Sequence, residues 1–181
     1  MYKRQVLKNA QGEAFVIDVL LVQKGFDRIF APYAHNLKKL GIDMNYRTVD
    51  DSLYKRRLDT FEFDMVVTSF PQSVSPGNEL MNVFHSQSAE MEGSRNFPGI
   101  SDPVVDALID NIINAENRDE LIIAAHALDR VLLHGEYLVP NWYIDTHRIA
   151  YRDKFNMPET LPLYFEPLSW LLKTWSAKGG E

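Results

Sequence analysis

The first 70 residues alternate between strand-like and helix-like patterns of apolar positions. Residues 15–22 (FVIDVLLV) form an almost continuous apolar, β-branched run, which is typical of a strand covered on both faces. Apolar and polar side chains alternate over residues 42–47, and another apolar run begins residues 64–69. Apolar positions recur with helical spacing over residues 25–40 and 50–61. The order β-α-β-α-β with short connections predicts a parallel sheet with right-handed crossovers.

Turn and capping residues place the ends of these two helices. Gly41 is a candidate C-terminal cap of the first helix, and Asp50 and Asp51 are candidate N-terminal caps of the second. Pro32 lies inside the first helix and lacks the main-chain N–H that a helix interior uses. We therefore expect either a kink at this proline or a later start of the helix, near Ala31.

The second half of the chain predicts two further helices. Residues 101–103 (SDP) combine a polar cap with a proline in the first turn, and an apolar stripe follows them. Asn117 and Glu120 form a capping-box-like pair before the next apolar stripe, which Gly135 ends. The predicted fold class is therefore α/β, a β-α-β-α-β sheet with appended helices.

Aromatic residues are concentrated near the C-terminus. Residues 137–151 are aromatic and β-prone, and Trp170 and Trp175 lie in an apolar final segment. Large aromatic side chains that follow a proline in such a segment belong to a core more often than to a pocket. We therefore expect Trp142 and Tyr143 to be buried.

Composition narrows the classes of partner and of site. The 181 residues include 45% hydrophobic residues and carry a net charge of −6, and the basic cluster Lys55-Arg56-Arg57 is short, so nucleic acid and anionic membranes are poor partners. The absence of cysteine excludes disulfides and thiolate metal sites. The five histidines lack metal-binding spacing, and no nucleotide-binding or nucleophile-elbow motif is present. No metal and no cofactor is predicted.

Two kinds of candidate chemistry remain after these exclusions. Ligands of open parallel sheets bind at the carboxyl ends of the strands, which here are followed by residues 23–25 and by residues 69–77 (SFPQSVSPG). The second loop offers hydroxyls, an amide and the Phe70 ring on a backbone stiffened by two prolines, although an ordinary surface connection would have the same composition. Carboxylates such as Asp64 and Asp102 are the alternative, as the acid and base of a small α/β enzyme.

Three aspartates recur at intervals of four residues in the first of the later helices. Asp102, Asp106 and Asp110 share the polar side of this amphipathic helix. We interpret them as a solvated face, with Asp102 at the helix N-terminus where the dipole favours a negative charge.

Three segments in order carry a family resemblance: FEFDMVVTSFPQS, SRNFPGISDPVVDALID and RDELIIAAHALDRVLLHGEYLVPNWY. They resemble the C-terminal lobe of the family-5 extracellular solute-binding proteins of ABC importers, the oligopeptide, dipeptide and nickel group. The resemblance covers about residues 11–151. It implies one lobe of a type II periplasmic-binding-protein fold, with residues 1–151 as the ligand-binding lobe. Residues 152–181 would be a tail that packs on the missing first lobe, and that lobe and a signal peptide would precede Met1.

The resemblance also implies that the protein binds a ligand and is not an enzyme. Such a protein captures peptides in a cleft between two lobes and delivers them to the ABC permease subunits in the membrane, so the implied location is the periplasm. A ligand-sensing domain built from the same lobe is a further alternative.

The resemblance places the ligand-facing loop and one bracing residue. The loop residues are Ser69, Phe70, Pro71, Gln72 and Ser73, and Asn96 matches an asparagine that braces the site or contacts the ligand. Ser73 aligns with an aspartate that often holds the amino terminus of the peptide. A serine cannot supply that negative charge, so the resemblance does not extend to recognition of a free amino terminus by this lobe unless Glu79 substitutes for the aspartate.

Overall fold

The computed structural model describes residues 6–144, 146–162 and 166–178. The chain divides into two compact units, Met1–Leu138 and Val139–Glu181. No helix in the described parts is long and apolar enough to cross a membrane.

The first unit contains the predicted parallel sheet. Its strands are β1 (Val16–Leu21), β2 (Asp43–Thr48) and β3 (Met65–Val66), in the order β2-β1-β3. Both neighbours of β1 run parallel to it, which confirms the β-α-β-α-β prediction. The third strand is shorter than the predicted residues 64–69. Beyond it, the carbonyls of Val67 and Ser69 accept hydrogen bonds from the side chains of Tyr54 and Arg95.

The sheet is covered on both faces only toward the carboxyl end of β1. Val19, Leu20 and Leu21 are buried, but Val16 is 39% exposed and Asp18 is exposed. The expectation of a strand covered on both faces along its whole length is therefore wrong for its first half, where Val16 and Asp18 are exposed although Ile17 packs against the cluster of Val19, Leu21 and Phe30.

Helix α1 (Asp27–Lys39) follows a 3₁₀ turn at Lys24–Phe26 and runs through Pro32. The expected start near Ala31 is wrong: the exposed proline removes a single helical hydrogen bond, and the buried Phe30 packs on Val19 and Leu21 of the sheet.

Gly41 ends helix α1 as predicted. It has a positive φ of 83°, and the N–H groups of Gly41 and Ile42 donate to the carbonyls of Lys38 and Leu37. These two bonds close a Schellman motif, which favours glycine at the left-handed position.

Helix α2 (Asp51–Asp59) is capped by Asp50, whose carboxylate accepts a 3.0 Å hydrogen bond from the Leu53 N–H. The chain moves from β1 to β2 on one side of the sheet and then from β2 to β3 across β1. Right-handed crossovers therefore place α1 and α2 on opposite faces of the sheet.

The other helices of the first unit follow the sheet in sequence. They are α3 (Glu79–Phe84), a 3₁₀ turn at Ser86–Ser88, α4 (Pro103–Ile113) and α5 (Arg118–His134). The predicted caps are confirmed, since Asp102 accepts from the Val104 N–H and Asn117 accepts from the N–H groups of Asp119 and Glu120. These helices share one apolar cluster, formed by Leu80, Phe84, Ile100, Val105, Ile109, Ile112, Ala124 and Leu128.

The second unit has an aromatic cluster of its own. It contains β4 (Phe155–Asn156) and β5 (Ser176–Ala177), which pair antiparallel, and α6 (Pro167–Thr174). Trp170 is buried, and the Trp175 ring lies 6.1 Å from the ring of Trp170 and 4.7 Å from that of Tyr151.

The expectation that Trp142 and Tyr143 are buried is wrong for this chain. They are 57% and 85% exposed, and the described residues of 137–151 contain no strand. An aromatic side chain is buried only where other residues of the fold pack against it, and the local sequence does not show whether they do.

Candidate ligand-binding loop

The loop at residues 69–77 follows the carboxyl end of β3. Because β1 and β3 are neighbours and parallel, this loop and the Lys24–Phe26 turn after β1 leave the sheet at the same edge. Helices α1 and α2 lie on opposite faces, so this edge is the switch point at which open α/β sheets bind ligands.

The structure places the five predicted loop residues in two environments. Ser69, Pro71, Gln72 and Ser73 are exposed. Phe70 is half-buried, and its ring centroid lies 5.4 Å from that of Phe84 in the apolar cluster of the helices. Phe70 therefore anchors the loop to this cluster.

The loop displays main-chain groups that remain available for pairing. Within the described part of the chain, the N–H groups of Gln72 and Ser73 and both main-chain groups of Phe70 make no hydrogen bond. The carbonyls of Pro71 and Gln72 are also unpaired there. Exposed and unpaired donors and acceptors in a non-helical segment can pair with an extended peptide.

The Ser73 side chain is engaged within the loop. Its hydroxyl donates to the Ser75 carbonyl at 2.9 Å and accepts from the Ser75 N–H at 3.2 Å. This local turn shapes the second half of the loop.

Glu79 joins the middle of the loop, at Gln72, to its C-terminal end, at Gly77. Its carboxylate accepts hydrogen bonds from the Gln72 side-chain amide and, at 3.1 Å, from the Gly77 N–H. The main-chain N–H of Glu79 itself, the Gln72 amide and Gly77 lower the pKa of this carboxyl below its usual value, outweighing the opposite effect of burial. Glu79 is therefore an exposed, ionised carboxylate beside the candidate loop.

Asn96 is buried, and within the described part of the chain its hydrogen bonds are to residues 85–100 and not to the loop. It is 0% exposed, and its amide donates to the carbonyls of His85 (3.2 Å) and Ile100 (2.9 Å). Its oxygen accepts from the Ile100 N–H at 2.8 Å. The side chain is therefore fully engaged with His85 and Ile100, and the role of Asn96 at the site stays a prediction.

Two residues that sequence reasoning missed also contact the loop. The Arg95 guanidinium donates to the Ser69 carbonyl at 3.1 Å, and the Arg118 guanidinium donates to the Val74 carbonyl at 2.7 Å. Both contacts join residues far apart in sequence, so no local pattern could have identified them.

The carboxylates of the enzyme alternative do not converge. Asp64 lines a concavity of about 510 Å³ with Asp18, Arg47 and Arg57, and its carboxylate accepts a 2.8 Å hydrogen bond from the Asp18 N–H. Asp102 is not among the residues lining that concavity and caps α4. The pair therefore lacks the shared pocket that acid–base chemistry requires.

The aspartates of α4 are also less uniform than predicted. Asp110 is exposed, but Asp106 is half-buried and accepts a 2.8 Å hydrogen bond from the Ser86 N–H. Burial alone would raise the pKa of Asp106, but hydrogen bonds from the hydroxyl and N–H of Ser86 and the nearby His85 leave it lowered. A solvated face describes Asp110 and not Asp106.

Comparisons with known proteins identify relatives whose sequence matches cover 88–98% of the chain. No protein-family model matches the chain. The chain is 40% identical over 179 residues to the "Probable peptide-binding protein YejA" of Agrobacterium fabrum, covering 98% of the chain and 28% of the relative. It is 42% identical over 160 residues to an uncharacterized protein of Sinorhizobium fredii, y4wM, covering 88% and 24%. A third relative, at 30% identity over 161 residues (89% and 26%), is named "Peptidoglycan-binding protein YepA", from Agrobacterium fabrum.

Solved structures show the same fold. An oligopeptide-binding protein of an ABC transporter from Thermotoga maritima matches with a TM-score of 0.62 at 23% identity, over 76% of this chain and 27% of its own. The oligopeptide-binding protein AppA from Bacillus subtilis, solved with a nonapeptide, matches with a TM-score of 0.58 at 19% identity, over 68% and 25%. The predicted family resemblance and α/β fold class are therefore confirmed, and the chain spans 24–28% of the length of the curated relatives described above.

Proposed function

Because the chain is homologous to part of the solute-binding proteins of ABC importers, we propose that it is the ligand-binding C-terminal lobe of such a protein. In this proposal a cleft between this lobe and a first lobe captures peptides, and the protein delivers them to a membrane permease. The protein acts in the periplasm and changes no covalent bond of its ligand. It requires no cofactor, because capture needs only the closure of two lobes around the peptide.

The observation that carries this proposal is the row of unpaired main-chain groups between Phe70 and Ser73. They lie on an exposed loop at the switch point of the sheet. An extended peptide can satisfy these groups with its own main chain, so affinity comes from main-chain hydrogen bonds and depends weakly on the ligand's side chains. Ser69 to Ser73 are the proposed contact residues, and Asn96 is the proposed brace, through its bonds to His85 and Ile100.

The loop also bears on how a peptide amino terminus is held. Ser73 uses its hydroxyl locally and cannot supply a negative charge. The ionised Glu79 carboxylate stands beside the loop, and we assign it to the attraction of an ammonium group.

Peptide binding by the two-lobe protein tests the function directly. We expect trialanine, tetraalanine, pentaalanine or a murein tripeptide to raise the thermal unfolding midpoint, because a ligand that binds only the folded state stabilises it. The murein tripeptide is included because one relative is named peptidoglycan-binding. The 181-residue chain alone should bind far more weakly, since it has one wall of the cleft. A midpoint unchanged by every peptide, with no heat in calorimetry, would contradict the proposal.

The C-terminal segment has a surface suited to the other lobe. Leu168 and Leu172 of α6 are 68% and 79% exposed, one helical turn apart, while Trp170 is buried. We propose that residues 152–181 use this pair to pack on the first lobe.

A further inference from the structure

The candidate loop is held from two sides by arginines. Arg95 Nη2 donates to the Ser69 carbonyl at 3.1 Å. Arg118 Nη1 donates to the Val74 carbonyl at 2.7 Å and lies 3.3 Å from Ser75 Oγ. We propose that Arg95 and Arg118 are positioning residues that preset the loop for its ligand, an inference that rests on the function proposed above.

Each arginine projects from a backbone that an adjacent asparagine fixes. The N–H of Arg95 donates to the Asn82 carbonyl at 3.1 Å, and the next residue, Asn96, is buried with three hydrogen bonds. Arg118 follows Asn117, whose side chain caps α5. The guanidinium groups therefore start from fixed points in two different parts of the chain, and the links at Ser69 and Val74 limit the motion of the residues between them.

The position of Arg118 in its helix supports this role. It is the first residue of α5, where the helix dipole disfavours a positive charge. An arginine at this position does not favour the stability of α5. Its contact with Val74 and Ser75 explains why it is there. Replacing Arg118 should therefore free the loop without weakening the helix, which separates positioning from a structural role.

The segment between the two links is the one with unpaired main-chain groups. Phe70 to Ser73 lie between the carbonyls that Arg95 and Arg118 hold. A loop that is already ordered loses little conformational entropy when a ligand pairs with it. If one link is removed, binding must order the loop, and affinity falls.

The first measurement needs no ligand. In the 181-residue chain, we expect Arg95→Ala and Arg118→Ala to lower the ¹⁵N heteronuclear NOE of loop amides from residues 69–75, with unchanged values in α4. Arg130→Ala is the matched control, because Arg130 is exposed on the same helix as Arg118. Loop values equal to those of the wild type in both variants would overturn the positioning role.

The second measurement is the affinity of the two-lobe protein for whichever of the four peptides binds the wild type most tightly. We expect Arg95→Ala and Arg118→Ala to raise Kd roughly three- to tenfold. Arg118→Ala should not lower the thermal midpoint, and Arg118→Lys, which keeps a donor for Val74, should recover most of the affinity. Wild-type Kd values in both alanine variants would overturn the inference even if the loop is loosened.

The two proposals fail in different ways. If none of the four peptides binds the wild type, the proposed function fails and the NMR measurement alone decides whether the arginines order the loop. If peptides bind but the alanine variants bind equally well, the function stands and the positioning role is wrong.

Discussion

Replacing Asn96 with alanine removes three hydrogen bonds from a fully buried position. The N–H and carbonyl of Ile100 then lose their partner, and neither has another among the described residues. The His85 carbonyl keeps its bonds from the N–H and the hydroxyl of Ser88, at 2.9 and 2.7 Å. Two orphaned groups at about 1–3 kcal/mol each predict a loss of about 2–6 kcal/mol in the free energy of unfolding. Typical domains have only about 5–15 kcal/mol in total.

Urea denaturation of the 181-residue chain, followed by far-UV circular dichroism, measures this loss. Asn82→Ala is the matched control, because the Asn82 side chain is exposed and its main-chain carbonyl still accepts from Arg95. We expect the control to change stability by less than about 0.5 kcal/mol. A loss below about 1 kcal/mol for Asn96→Ala would refute the reasoning that these groups depend on the Asn96 amide.

The variant Asn96→Asp distinguishes the contribution of the amide's hydrogen bonds to stability from the contribution of the volume that the side chain fills. The carboxylate has the same shape but no donors, and it would face the carbonyls of His85 and Ile100. Burial and these carbonyls raise the pKa of the new carboxyl above its unfolded value. Stability is then lowest at neutral pH and increases as the pH falls through the folded-state pKa, where the protonated acid regains one donor. Stability of this variant that does not increase between pH 7 and pH 5, relative to wild type, would contradict the assignment.

Three further changes test other parts of the structure. Gly41→Ala should lower the free energy of unfolding by about 1 kcal/mol, because its φ of 83° is unfavourable for a side chain, and Gly25→Ala, where φ is not positive, is the control in the same urea titration. The pKa of Asp106 is lowered in the folded state, so this carboxylate contributes its full stabilisation above its unfolded pKa and loses it as the pH falls through the folded pKa. Urea titrations should therefore show that Asp106→Asn costs stability at pH 7 and progressively less as the pH is lowered below the unfolded pKa; a cost that does not decrease on acidification would contradict this. The double change of Leu168 and Leu172 to serine should lower the thermal midpoint of the two-lobe protein and leave that of the 181-residue chain unchanged, because both side chains are already exposed in this chain; equal effects on both would contradict the proposed tail contact.

The parts of the fold that sequence predicted well are those decided by neighbouring residues. Asp50, Asp102 and Asn117 cap their helices through bonds to N–H groups two or three positions away, and Gly41 adopts the positive φ that its turn requires. Such interactions are complete within a few residues, so a local pattern contains all the information they need.

The predictions that failed depend on residues distant in sequence. Pro32 remains inside α1 because the helix packs on the sheet, and a packed face outweighs one missing hydrogen bond. Trp142 and Tyr143 are exposed because burial requires a partner surface, which an aromatic residue does not itself provide. The chain that follows β3 likewise has its carbonyls bound by side chains distant in sequence, those of Tyr54 and Arg95.

The candidate site depends both on interactions between neighbouring residues and on contacts between residues distant in sequence. The position of the loop in the fold could therefore be predicted, but the contacts that hold it could not. Strand order places the loop at the switch point, and strand order follows from local patterns and the handedness of crossovers. The links that hold the loop join residues 26 and 44 positions apart. Yet each link begins beside an asparagine, Asn96 or Asn117, whose bonds lie mainly within the nearby chain. Local bonds thus fix the backbone from which a distant contact is made, and a sequence-based search for positioning residues should examine cationic neighbours of capping and buried asparagines.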